Sequence, residues 1–87
     1  MKWSDLSYIL RSPLSKQVLQ VLEKESLAPV EIAKRTGIDK GNVSHKLIEL
    51  VKRGFVECEN PEDRKWRFYS ITDHGRKILK ASLEKVK

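Results

Sequence analysis

Between Lys40 and Lys52 the chain carries Gly41, Asn42, Ser44, His45 and Lys46, a run of amide, hydroxyl, imidazole and ammonium groups around one residue without a side chain. Asn42 donates and accepts, as an adenine edge requires. Ser44 and His45 bond several base edges, and Lys40, Lys46 and Lys52 reach guanine or phosphate. Gly41 permits close approach of a backbone to a ligand. The chemistry these types fit is recognition of a polyanion with readable edges, and double-stranded DNA is the partner expected. The same types also populate ordinary solvated helix faces, so by themselves they leave the two readings level. The neighbourhood adds charge. From Lys34 to Arg53, Lys34, Arg35, Lys40, Lys46, Lys52 and Arg53 stand against Asp39 and Glu49, so four of the net six positive charges fall there.

A second basic group, Arg64, Lys65 and Arg67, follows in and just beyond a loop from Asn60 to Lys65. It could enter a minor groove or lie along phosphates. Glu62 and Asp63 oppose that charge, and a solvated turn with a local ion pair is the alternative. Other chemistry finds little support. Cys58, His45 and His74 are too few and too scattered for a metal site, and one cysteine excludes an internal disulfide. No nucleophile elbow, phosphate-cradling glycine loop or paired catalytic carboxylates occur, so neither an enzyme nor a cofactor is expected.

These side chains act together only if ordered elements hold them. Ser12 followed by Pro13 predicts a capped helix from Pro13 to about Lys24, with Leu14, Val18, Val21 and Leu22 on its core face. Trp3, Leu6, Ile9 and Leu10 predict a short amphipathic helix before it, capped by Ser4. Pro29 to Thr36 forms a third helix, closed by Gly37. Asp39 then caps a helix from Lys40 to about Arg53, which Gly54 stops; Val43, Leu47, Leu50 and Val51 are its core stripe. Two helices joined by a short turn containing glycine have the form of a helix-turn-helix. Such a helix is about 21 Å long and fits a B-DNA major groove.

After Gly54 the period becomes alternating. Phe55–Glu59 and Trp66–Ile71 predict a hairpin, with a short third strand near Leu27. Tyr69 and Ile71 are expected inward. Trp66 and Phe68 are left to pack on the N-terminal helix, on a second copy or on DNA sugar. Thr72 caps a last helix from Asp73 to about Lys85, striped by Ile78, Leu79, Leu83 and Val86. The expected class is α+β, mostly α: a winged helix-turn-helix with a C-terminal helix.

The chain's 87 residues, 39% apolar and 34% charged, fit one small domain with its own core over 1–87: helix-turn-helix 29–53, wing hairpin 55–71 and C-terminal helix 73–86. Its 18 lysines and arginines outnumber 12 aspartates and glutamates, a balance that favours nucleic acid or an acidic surface. Apolar runs fall far short of the ~20 residues that span a bilayer. The expectation is a cytoplasmic protein with no membrane and no metal among its partners. The apolar stripes on both terminal helices predict a homodimer, although the same stripes could complete a monomer core. A protein-interaction module and a single-strand or RNA binder are the other classes.

The stretch IDKGNVSHKLIELVKRGFVE, with Val43, Ser44, Leu47, Leu50 and Gly54 at their spacing, resembles the turn, reading helix and first wing strand of MarR-like and ArsR-like winged-helix transcription regulators. NPEDRKWRFYSITDHGRKIL is similar to the MarR-like wing and its exit helix, through Asp63-Arg64, Thr72 and Gly75. The resemblance implies that Gly41, Asn42, Ser44, His45 and Lys46 occupy the DNA-reading positions and that Arg64 and Lys65 sit at the wing tip. Lys65 stands where such wings carry a second arginine, replacing a planar fork with a flexible point charge.

Overall fold

Ser12 and Pro13 start a helix for the reason their types imply. The Ser12 hydroxyl accepts the Ser15 N–H at 3.3 Å and Pro13 takes the first helical position, where no amide donor is needed. A computed structural model describes residues 3–85. Its elements are α1 Trp3–Arg11, α2 Pro13–Leu22, α3 Pro29–Thr36, α4 Lys40–Lys52, β1 Val56–Cys58, β2 Tyr69–Ile71 and α5 Asp73–Lys85. The order is the expected one, although α2 ends at Leu22 rather than Lys24. Ser4 lies inside α1 and has no capping role: the face that buries Leu6 and Ile9 carries the first turn back to Trp3.

The turn that aims α4 is built from local bonds. Gly37 adopts φ 77°, a left-handed conformation that a Cβ would strain, and its N–H closes α3 on the Ala33 carbonyl at 2.9 Å. Asp39 then accepts the N–H groups of Gly41 at 2.9 Å and Asn42 at 3.4 Å, satisfying the free donors of the first turn of α4.

Every element contributes to one core. Ile9, Leu19, Ile32, Val43, Leu47, Leu50, Phe55, Val56, Ile71, Ile78 and Leu79 are buried together. Phe55 is fully enclosed, with the Tyr8 ring 6.5 Å and the His74 ring 5.1 Å from its own. Val51, expected in the α4 stripe, is instead 41% exposed. It lies at the wing edge of that stripe, beside Ile48 and Cys58, where the short sheet leaves it uncovered. On α5, Ile78 and Leu79 are buried and Leu83 is exposed, while Val86 lies outside the described residues.

β1 and β2 pair antiparallel, with Val56 opposite Ile71 and Cys58 opposite Tyr69. Leu27 bridges Tyr69 through two backbone bonds of 3.0 and 2.9 Å, which is the short third strand expected there. Ile71 is buried and Tyr69 partly so, as expected. Both strands are shorter than their alternation predicts, because side chains take over the backbone bonds of the wing. Asn60 donates to the Trp66 carbonyl at 2.6 Å and accepts the Phe68 N–H at 2.8 Å, and Asp63 accepts the N–H groups of Lys65 and Trp66, both at 2.9 Å. No described helix is long and apolar enough to cross a membrane.

Candidate nucleic-acid interface

The face of α4 opposite its buried stripe presents Gly41, Asn42, Ser44, His45, Ile48 and Lys52, all exposed. Advancing about 100° per residue, they form one continuous surface whose N-terminal half carries the small and hydrogen-bonding groups. Ile48, 58% exposed, adds an apolar group suited to a thymine methyl. Lys40 lies at the wing edge of this surface, where it lines a cleft with Lys65 and Trp66.

On the other edge, α1 grips α4. The Tyr8 hydroxyl bonds the Ser15 hydroxyl at 3.0 Å and donates to the Glu49 carboxylate at 3.4 Å. The Arg53 guanidinium sits 3.8 Å from the centre of the Tyr8 ring and 3.8 Å from the Asp5 carboxylate, which also bonds His74 of α5 at 3.0 Å. Lys46 belongs to this edge. Its half-buried side chain reaches Glu49 at 3.4 Å, and His45 lies 3.9 Å from the same carboxylate. An open cleft of about 620 Å³, lined by Trp3, Tyr8, Arg11, Lys46 and Arg53 among others, runs between α1 and α4.

The positive charge near α4 is therefore more committed than composition implies. Arg35 pairs with Glu25 at 2.6 Å, Arg53 is held by Asp5 and Tyr8, and Lys46 by Glu49. Among the described residues from Lys34 to Arg53, Lys34, Lys40 and Lys52 are exposed and without an ion pair, as are Arg64 and Lys65 in the wing. Arg67 is spent inside the wing, donating to the carbonyls of Asp63 at 2.9 Å and Pro61 at 3.3 Å. Asp63 faces the solvent, and the Trp66 and Lys65 N–H groups hold its carboxyl below the ordinary aspartate range.

Tyr8 and Asp5 were absent from the sequence-derived site, where Glu49 counted only as an opposing charge on the helix face. The i,i+3 spacing of Lys46 and Glu49 signals that pair, whereas nothing local links Tyr8 to Glu49. Trp66, 62% exposed, lies beside the start of α3 rather than on α1, and Phe68 is 38% exposed. Cys58, half-buried, is a free thiol, and no group of three or more potential metal ligands occurs among the described residues.

A family model described as the MarR family matches residues 6–65, from α1 to the wing tip. The chain belongs to the MarR family. HTH-type transcriptional regulator TcaR of Staphylococcus aureus (strain Newman) is 36% identical over 66 residues, covering 72% of this chain and 44% of TcaR. Transcriptional regulator AdcR of Streptococcus pneumoniae serotype 2 is 33% identical over 64 residues, with the same coverage. This MarR-family chain thus spans less than half the length of these relatives. Among solved structures, YusO of Bacillus subtilis superposes with a TM-score of 0.76 at 28% identity, over 84% of this chain and 53% of YusO. The oxidised form of MarR from E. coli gives 0.76 at 26% identity, over 93% and 59%. The MarR-like part of the resemblance is borne out, and with it the winged-helix architecture. Both TcaR and AdcR are transcriptional regulators.

Proposed function

We propose that this MarR-family chain is a single winged-helix domain over 1–87, with its helix-turn-helix at 29–53, wing hairpin at 55–71 and C-terminal helix at 73–86, and that it regulates transcription by sequence-specific binding to double-stranded DNA. The observation that carries the reading is the exposed face of α4, continuous with the unpaired wing charges. In this reading α4 lies in the major groove, where Asn42, Ser44, His45 and Ile48 read base edges and Gly41 lets the helix approach closely. Lys40 and Lys52 hold phosphates, and Arg64 and Lys65 extend the contact to the minor groove or the backbone. Lys46 and Arg67 join them by exchanging Glu49 and the wing carbonyls for phosphate.

The chain acts as a homodimer in this proposal. Support comes from the terminal helices, which pack together and leave Trp3, Leu10 and Leu83 exposed; a two-fold axis there would set half-sites about 34 Å apart.

Selection from a random duplex library tests the reading, and enrichment of an inverted repeat is expected. Asn42→Ala or His45→Ala should cost about 1–3 kcal/mol on the selected site alone, whereas Arg64→Ala or Lys52→Ala should weaken all sequences and flatten the salt dependence by about one unit. Uniform loss for all four would refute these roles. Lack of duplex binding at low salt would favour a protein-interaction module, the reading that exposed Trp66 and Phe68 otherwise serve.

A further inference from the structure

Trp66 is the largest apolar side chain on the wing and stays 62% exposed. Its position is not that of a loose loop tip. Its N–H donates to Asp63 at 2.9 Å and its carbonyl accepts from Asn60 at 2.6 Å, so the backbone that carries the indole is held on both sides. The ring borders a cleft of about 270 Å³ with Ala28, Pro29 and Val30 as apolar walls and Lys40 and Lys65 as its two cations. Lys40 opens α4 and Lys65 stands in the wing, so the cleft joins the two elements proposed to embrace DNA.

We infer that Trp66 contacts DNA, its indole lying against a deoxyribose of the strand that passes between α4 and the wing, with Lys40 and Lys65 on the adjacent phosphates. This rests on the DNA-binding reading above and extends it. The chemistry of the cleft selects the occupant. A sugar–phosphate strand offers an apolar sugar face and an anion on either side, which matches one aromatic ring between two ammonium groups. A purely apolar protein segment would leave both ammonium groups facing it without a counter-charge. The contact carries no base information, so it strengthens binding on every sequence.

Two single-tryptophan variants provide the test. In W3F only Trp66 emits, and its fluorescence should change in intensity or wavelength as a library-selected duplex is added. In W66F only Trp3 emits, and the same duplex should change its emission less than it changes that of Trp66 in W3F. Trp66→Ala should weaken binding about tenfold on specific and nonspecific duplexes alike, with an unaltered salt slope because no charge is lost. Lys65→Ala should lower that slope by about one. Circular dichroism should match wild type for Trp66→Ala, given the exposure of the side chain. Normal duplex affinity of Trp66→Ala, or unchanged emission of duplex-bound W3F, overturns this inference alone. Failure of the wild-type chain to bind any duplex at low salt overturns the DNA-binding reading as well.

Discussion

Asp63 places a negative charge in a basic wing, and its geometry gives the reason: one carboxylate oxygen accepts both the Lys65 and the Trp66 N–H. Those bonds favour the ionised form, with Trp66 the larger contribution, so the folded carboxyl titrates below its unfolded counterpart. The sign follows. The wing's stabilisation by Asp63 is present above the ordinary aspartate value and is lost as pH falls through the lowered one. Backbone amide shifts of Lys65 and Trp66, followed by NMR from about pH 5 toward about pH 2, should move together with that titration. Asp63→Ala supplies a sharper discrimination. If charge governed, removing it would tighten DNA binding; because order governs, duplex affinity should fall severalfold in electrophoretic mobility assays. The acidic residue was visible in the sequence as a possible orienting partner of the wing arginines. Its actual partners are two backbone amides, and Arg67 turns to carbonyls, because a loop without a continuing strand partner must satisfy its own backbone.

At the scale of elements, punctuation was legible and extent was less so. Ser12-Pro13, Gly37, Asp39 and Thr72 act locally, within a few residues, and each stands where its type implies. Asp39→Ala should cost about 0.5–2 kcal/mol in chemical denaturation and loosen the first turn of α4, thereby weakening duplex binding beyond the stability change. Strand ends and the partial exposure of Val51 depend instead on what the wing does in space. Gly75 shows a constraint that no local rule exposes. A Cβ there would collide with the Phe55 carbonyl and come within 2.8 Å of the Ile71 side chain, so α5 lies directly on the start of the wing. Gly75→Ala should destabilise the fold by about 1–3 kcal/mol, measured as a lower denaturation midpoint with an unchanged slope.

Across the whole molecule, α1 and α5 pack on one another and close the core beside α4, while leaving Trp3, Leu10 and Leu83 in solvent. Sedimentation at tens of micromolar should report a dimer, and Leu83→Glu should shift it to monomer without unfolding it; a wild-type monomer at that concentration would dismiss the terminal-helix interface. Tyr8 links this face to α4, so Tyr8→Phe should weaken duplex binding modestly through Glu49 and Lys46, although Tyr8 itself touches no nucleic acid in this reading. The sequence by itself determined the element order, the caps at Ser12, Asp39 and Thr72, most of each buried stripe and the winged-helix class, because hydrophobic period and capping chemistry operate within a few residues; Leu10, Val51 and Leu83 left their stripes for solvent. Only the tertiary structure decided which cations are free. Lys46, Arg35, Arg53 and Arg67 are engaged by Glu49, Glu25, Asp5 with Tyr8, and the wing carbonyls. The partners of Arg35 and Arg53 are remote in sequence, and charge pairing depends on distance in space, which chain spacing encodes only for near neighbours such as Lys46 and Glu49.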